Sequence, residues 1–475
     1  MHLIAENIIK NLIALWTRNF KGLDQGSGEY ELPPDIITQI GNACVAAGDT
    51  TPAAFGARVP NLATQQHYYT AESYTLFTTL LGPVVLRDRF AKPKYYKHFM
   101  ELISIFNDCL NLSIDRDYVD NELRARVVKW VQDFEKHYYQ YDPARLSTCT
   151  LTLHAMLHIP DDILNAGPMW CYWNYVTERF VGYLVRSSKS RKNPYASFAR
   201  RLREIAQNNL IKVKYQLHRE LDLSDRREEE SRGHTIESCE LYPDICVLRP
   251  HTRGPLAAPV LKAVKNYLLR TFEVSENRVS RCIPDEVSHW GKISFTNGGD
   301  KIRAAELFAH SEKNMTRDAS FIKYSHDIDV NRNYRHKPVL LHREAAYGQL
   351  LRIIEFVADL PSAPDDQGRL VDQSRTVWLA VIRPVKILAK SKRLGIPYYL
   401  DNNFAPLEVI DVDDISCLVA RIPDHEPGRR RWALCERQDA MGVTEELDHV
   451  RATTRPEKSR VLAWGIRRLI DRPCY

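Results

Sequence analysis

Apolar positions recur every three to four residues through the first half of the chain. In the last third they recur at every second residue, so two kinds of element are expected in two regions. Leu3, Ile4, Ile8, Leu12, Ile13 and Leu15 mark one face of an opening helix that stops near the Lys21-Gly22 turn. Pro33-Pro34 starts a second helix. Residues 92–110 and 115–140 read as longer helices, the latter with Val127, Val128, Val131 and Phe134 inward, and 151–164 as another that carries His154 and His158. Residues 177–186 fit a helix whose buried stripe is Phe180, Val181, Leu184 and Val185. The density of aromatics around it (Trp170, Tyr172, Trp173, Tyr175, Phe180, Tyr183) predicts that much of this stretch is packed. Asn193-Pro194 then resembles an N-cap with proline at the first helical position, opening a helix to about 208.

The pattern breaks at 221–249, where DLSDRREEESRG is charged and poor in apolar residues. A charged linker with a short helix (260–272) is expected over 221–290. From Lys292 the period is two. Asn297-Gly298 predicts a hairpin turn, and 319–328, 347–358, 376–388, 407–422 and 431–436 read as strands. Five short strands in series suggest a small antiparallel barrel over 291–440, with a charged tail over 441–475 that carries a helix at 458–470. The fold class expected is α+β: a mainly α-helical N-terminal half (1–220) and a β-rich, small-barrel-like C-terminal domain.

Composition narrows the picture modestly. A chain of 475 residues has room for two or three cores. The net charge of +6 is mild, so any argument about polyanions must rest on clustering rather than totals. Ten cysteines stand without a CxxC pair, which argues for reduced thiols in an intracellular protein rather than a disulfide framework or zinc finger. No apolar run approaches the length of a membrane span, and the N-terminus lacks the basic leader of a secretory signal. Phosphate-loop, GxSxG and HExxH patterns are absent. Asp411, Asp413 and Asp414 could bind a cation, although a strand end or turn is the simpler account.

One cluster stands out. From Glu178 to Arg203 there is a single carboxylate followed by eight basic residues and no further acid. Arg186, Lys189, Arg191, Lys192, Arg200, Arg201 and Arg203 fall on a helix, a loop and a second helix, a distribution suited to phosphate contacts. The plainer account is a solvated basic face. His154 and His158, at i and i+4 after Cys149, could share a metal, but the pattern equally suits core histidines.

Sequence landmarks across 1–440 resemble, in order, the C-terminal portion of CACTA-type (En/Spm-like) transposases of mushroom-forming fungi. These are MHLIAENIIKNLIALWTRNFKGLD, TPAAFGARVPN, FEKHYYQYDPARLSTCTLTLHAMLHI, GPMWCYW with TERFVG and SRKNPYASFARR, and RDASFIKYSHDIDVN. The resemblance implies a nuclear, transposon-derived DNA-binding protein whose helical half is the end of an RNase H-like core with a helical insertion. It also implies a catalytic centre in which three carboxylates hold two divalent cations, Mg²⁺ being the hard cation that suits oxygen ligands. Glu178 is the candidate third carboxylate, both catalytic and metal-ligating, while the same motif also suits a structural Glu178–Arg179 pair. The family aspartates are expected upstream of a landmark that usually reads Asp-x-Met-His, of which Met1-His2 is the end. His2, His154 and His158 are therefore family-motif histidines, with roles left open. The chain by itself is expected to lack independent nuclease activity. Expected partners are DNA, a second copy, or other transposon-encoded proteins, and no membrane. The alternative is a host-retained interaction scaffold with no DNA role.

Overall fold

The computed structural model describes residues 2–24, 26, 28–187, 192–217, 220–221, 236–239, 241–272, 275–295, 300–308, 317–331, 336, 340–364, 370–426 and 429–437. A π-helical stretch, His2–Ile9, runs on as α1 (Lys10–Trp16) and buries Ile4, Ile8, Leu12, Ile13 and Trp16. It ends before the expected Lys21-Gly22 turn, because Arg18 adopts a left-handed backbone (φ 63°) that no helix continues through. α2 (Pro34–Thr50) and α3 (Pro93–Cys109) both open on proline at the first turn.

Around α1 the apolar stripes of α3 and α4 (Arg124–Phe134) close into an aromatic core. Trp16 meets Phe90 and Phe99 edge-on at 5.3 Å, and its indole N–H donates to Tyr138 Oη at 3.1 Å. His98 stacks on Trp130 at 4.5 Å, and burial holds its imidazole neutral, at about 3.

The single helix expected over 151–164 is three pieces: Leu151–Ala155, a 3₁₀ turn Met156–His158, and α5 (Ile159–Ala166). Pro160 supplies no amide and crowds the carbonyl four residues back, so the ladder tightens there. The chain then forms α6 (Tyr175–Ser187) and α7 (Pro194–Tyr215). α7 outruns its expected end and stops where Gln216 turns left-handed (φ 56°). Among the described residues of 2–217 there is no β-strand.

The second half contains β1 (Ile236–Cys239), β2 (Tyr242–Gly254), α8 (Ala258–Phe272), β3 (Val287–Phe295), β4 (Lys301–Arg303), β5 (Phe321–Asp329), β6 (Leu341–Pro364) and β7 (Leu370–Lys390). It continues through β8 (Pro397–Phe404), β9 (Glu408–Asp411), β10 (Ile415–Leu418), β11 (Ala420–Glu426) and β12 (Arg429–Cys435). β1 and β2 occupy residues expected to be linker, so sheet begins well before 291. The arms of the expected hairpin pair as Ile293↔Ile302, although the Asn297-Gly298 turn lies outside the described residues. The charged tail also lies outside them.

The β6–β7 hairpin is the spine of the sheet. Along its outer edge β6 takes β5 at one end and β3 at the other, while β7 takes β9 and then β8. β10 adds to β5, and β12 and β11 extend from β8. Every pairing is antiparallel. β9 and β10 follow one another in the chain but do not pair, so the sheet stays open. The closed small barrel expected from the strand count is not formed: the twelve strands splay from two long central ones instead of curling into a ring.

α8 covers one face of the spine, with Val260, Val264 and Leu268 against Ile354, Phe356, Val377 and Leu379. The helical half packs on the sheet through α2 and β11. One buried apolar cluster runs from Ile4 through Phe99 and Trp130 to Trp290, Tyr398, Ile422 and Cys435. At this seam Asp424, its side chain 2% exposed, accepts from Arg87 at 2.9 Å and from Arg431 at 2.5 Å. Arg421 reaches Asp318 at 2.6 Å with its guanidinium 3.9 Å from the Phe321 ring centre.

Candidate nucleic-acid interface

The π-helical turn His2–Ile9 places His2 beside α6. His2 Nε2 lies 2.7 Å from Glu178 Oε1, and His2 Nδ1 bonds Glu6 one turn along its own helix. All three side chains are substantially exposed. The carboxylate of Glu178, and then that of Glu6, raises the His2 imidazole above its ordinary range, so the imidazolium is favoured. Glu178 is thus paired with a histidine 176 positions away, while the Arg179 side chain lies outside the described residues.

The piece Leu151–Ala155 packs against His2–Ile9, which brings His154 into the same region of the fold. His154 and His158 are both exposed, with Nε2 atoms 3.4 Å apart and rings crossing at 79°. They are surface residues rather than core histidines. Among the described residues no group of three or more His, Cys, Asp or Glu is placed to hold a metal ion.

The Mg²⁺ that the sequence resemblance implies would need several oxygen donors converging on it. Here Glu178 and Glu6 are both turned onto the His2 ring, with imidazole nitrogen rather than open space between them. The described residues do not fit a two-cation centre.

The basic residues divide by role. Arg186, Lys192, Arg200 and Arg203 are exposed; Lys189 and Arg191 lie outside the described residues. Arg201 is engaged within the hairpin: its Nη2 donates to Tyr183 Oη at 2.6 Å and its guanidinium lies 5.7 Å from that ring's centre. The Tyr183 hydrogen bond pushes the Arg201 guanidinium further up, so it ties α7 to α6 as a fixed cation. Arg200 has Glu204 one turn on at 3.9 Å, a separation that costs it little freedom.

The stripe expected to be buried on α6 is not. Val181 and Val185 are 51% and 58% exposed, while Phe180 and Leu184 are half-buried. Trp170 and Trp173 are half-buried and Tyr172 is exposed; Trp170 donates to the Leu112 carbonyl at 2.8 Å. The helix forms as its period predicts, but among the described residues little packs over its outer face. Asn193 holds the N-cap position of α7 without a capping side-chain bond.

Sequence reasoning missed Glu6, which lies four residues from His2 at a spacing that places both on one helical face. Asp411, Asp413 and Asp414 form a turn and not a cation cage. Asp411 Oδ1 accepts from the Asp413 amide at 3.0 Å, its Oδ2 accepts from Tyr242 Oη at 3.1 Å, and Asp414 pairs with Arg343.

Among the described residues no helix is long and apolar enough to cross a membrane. Comparison with protein-family models, with curated proteins and with solved structures finds no match to this chain.

Proposed function

We propose that this chain is a DNA-binding protein derived from a CACTA-type transposase, acting in the nucleus and not a nuclease by itself. In that reading residues 1–220 are the last helices of an RNase H-like core with a helical insertion, and the sheet domain is an accessory module. One observation supports it above the others. His2 ends the family's Asp-x-Met-His landmark, Glu178 stands in the ERF motif proposed to supply the third carboxylate, and the two side chains lie 2.7 Å apart. Two landmarks separated by most of the helical half would meet in this way if both belonged to one ancestral centre.

The exposed cations of the α6–α7 hairpin, which begins with the helix that carries Glu178, supply the phosphate-binding surface. Binding of this kind is carried by counterion release, so its salt dependence counts the contacts. A salt titration on duplex DNA, wild type beside an Arg186/Lys192/Arg200/Arg203→Ala variant, tests the reading. The slope is expected to fall by about one unit per lost contact. An unchanged slope with unchanged affinity removes the hairpin as the DNA surface.

A specific observation favours the second reading, a protein-interaction scaffold. α7 exposes Tyr195, Leu202, Leu210 and Val213 along one side, at 84%, 41%, 65% and 65%. Apolar area of that kind is used in protein contacts more than in phosphate binding. DNA binding that is weak and lost by physiological salt would favour the scaffold.

A further inference from the structure

A concavity of about 480 Å³ opens where the end of the β5–β6 pair faces the β7 strand and the loop leading into β9. It lies in the sheet domain, away from the hairpin residues, and owes nothing to the DNA reading. Val385, Pro406 and Leu407 give it apolar walls. Its polar groups form one set. His326 Nδ1 bonds Glu408 Oε1 at 2.9 Å, and Tyr324 Oη donates to Glu408 Oε2 at 2.7 Å. Glu408, on β9, is thus held through both carboxylate oxygens by two side chains of β5. Glu344 stands directly across the ladder from His326, in the register His326↔Glu344, so both side chains rise from the same face. The Glu344 carboxylate is exposed, lines the concavity, and has no ion-pair partner among the described residues.

We propose that this concavity binds an aliphatic primary amine, its ammonium on Glu344 and its methylene chain along Val385, Pro406 and Leu407. The argument is charge complementarity. His326 is hydrogen-bonded to Glu408, which leaves Glu344 as the exposed carboxylate of the concavity, beside apolar walls and with no ion pair of its own among the described residues. An anion would meet Glu344 at the mouth, and a purely apolar ligand would leave that carboxylate without use.

His326 makes the site pH-sensitive. The groups acting on its ring are Glu408 from β9, Glu344 from β6, Tyr324 two residues away on β5, and Arg270 from α8. The Glu408 hydrogen bond, the largest effect, raises the imidazole above its ordinary range. When His326 is protonated its cation opposes an incoming ammonium; when it is neutral the opposition is gone. Amine binding therefore strengthens as pH rises through the His326 titration.

The test follows the imidazole resonances of isotope-labelled histidine in the full chain, with the His326 signal identified by its loss in His326→Gln. Hexylamine, hexanol and hexanoate are titrated in turn. Hexylamine is expected to shift the His326 signal and to bind more tightly at higher pH, with hexanol weaker and hexanoate weakest. Glu344→Gln, a change at an exposed side chain that leaves the fold intact, is expected to weaken hexylamine about fivefold, the scale of one exposed ion pair. If hexanoate binds as well as hexylamine, or Glu344→Gln changes nothing, the proposal is overturned. An N-acetylated lysine amide that binds as tightly as hexylamine assigns the site to a protein lysine, and hexylamine alone assigns it to a small amine.

Discussion

Asp411 shows how far a single side chain departs from what its neighbours in sequence suggest. In DVDD it reads as one of three exposed acids, yet the end of β9 carries it inward beneath Tyr242. Burial pushes its carboxyl up to about 6 from an ordinary value near 3.8, against the opposing hydrogen bonds of the Asp413 amide and Tyr242. The sign follows from proton count. Between those two values the folded chain keeps a proton that the unfolded chain has released, so this group's contribution to stability falls as pH rises from 3.8 to about 6 and stays low above. Asp411→Asn removes the titration. The variant's stability relative to wild type should therefore improve between pH 4 and pH 7 by on the order of 2–3 kcal/mol, read from denaturant midpoints at each pH. A difference that does not change with pH would show that Asp411 is solvated and titrates normally. Nothing in the sequence marks Asp411 apart from Asp413 and Asp414; only the pairing of β9 with β7 decides which of the three turns inward.

At the scale of elements, period was legible and partners were not. The alternation in 347–358 and 376–388 belongs to β6 and β7, and both strands run further because each continues to find a neighbour along its edge. β2 was hidden by Pro243 and Pro250, which argue against a strand. Pro250 is accommodated at a register shift between Leu248 and His251, where a missing donor costs no ladder bond. β8, PYYLDNNF, carries no alternation at all and is a strand because β7 and β12 flank it. On α6 the opposite holds: a clear apolar stripe at Val181 and Val185 is covered by nothing among the described residues. Val181→Ser and Val185→Ser should then each change stability by less than about 0.5 kcal/mol. A loss several times larger would mean that α6 is covered after all. Trp173→Ala, half-buried, should cost well under the roughly 3–5 kcal/mol of a fully enclosed tryptophan.

For the whole molecule the sequence suggests separable domains, and the packing argues for one cooperative unit. The shift from helical to strand period near 220–290 is a boundary of secondary structure, whereas the apolar core runs unbroken across it. Asp424 makes the coupling testable, since it lies on β11 and answers Arg87 of the helical half as well as Arg431 of β12. Removing Asp424 takes from Arg87 and Arg431 a carboxylate that both reach in a poorly solvated seam, which costs up to about 3–5 kcal/mol where a buried pair is broken from one side. If the halves fold as one, Asp424→Ala lowers a single calorimetric transition by that amount and leaves it single. If they fold separately, the wild type shows two transitions and the substitution moves only that of the sheet half, which holds both Asp424 and Arg431. The same reasoning predicts that 1–220 expressed alone exposes the face of α2 that packs on β11 and binds a hydrophobic dye, whereas the full chain does not.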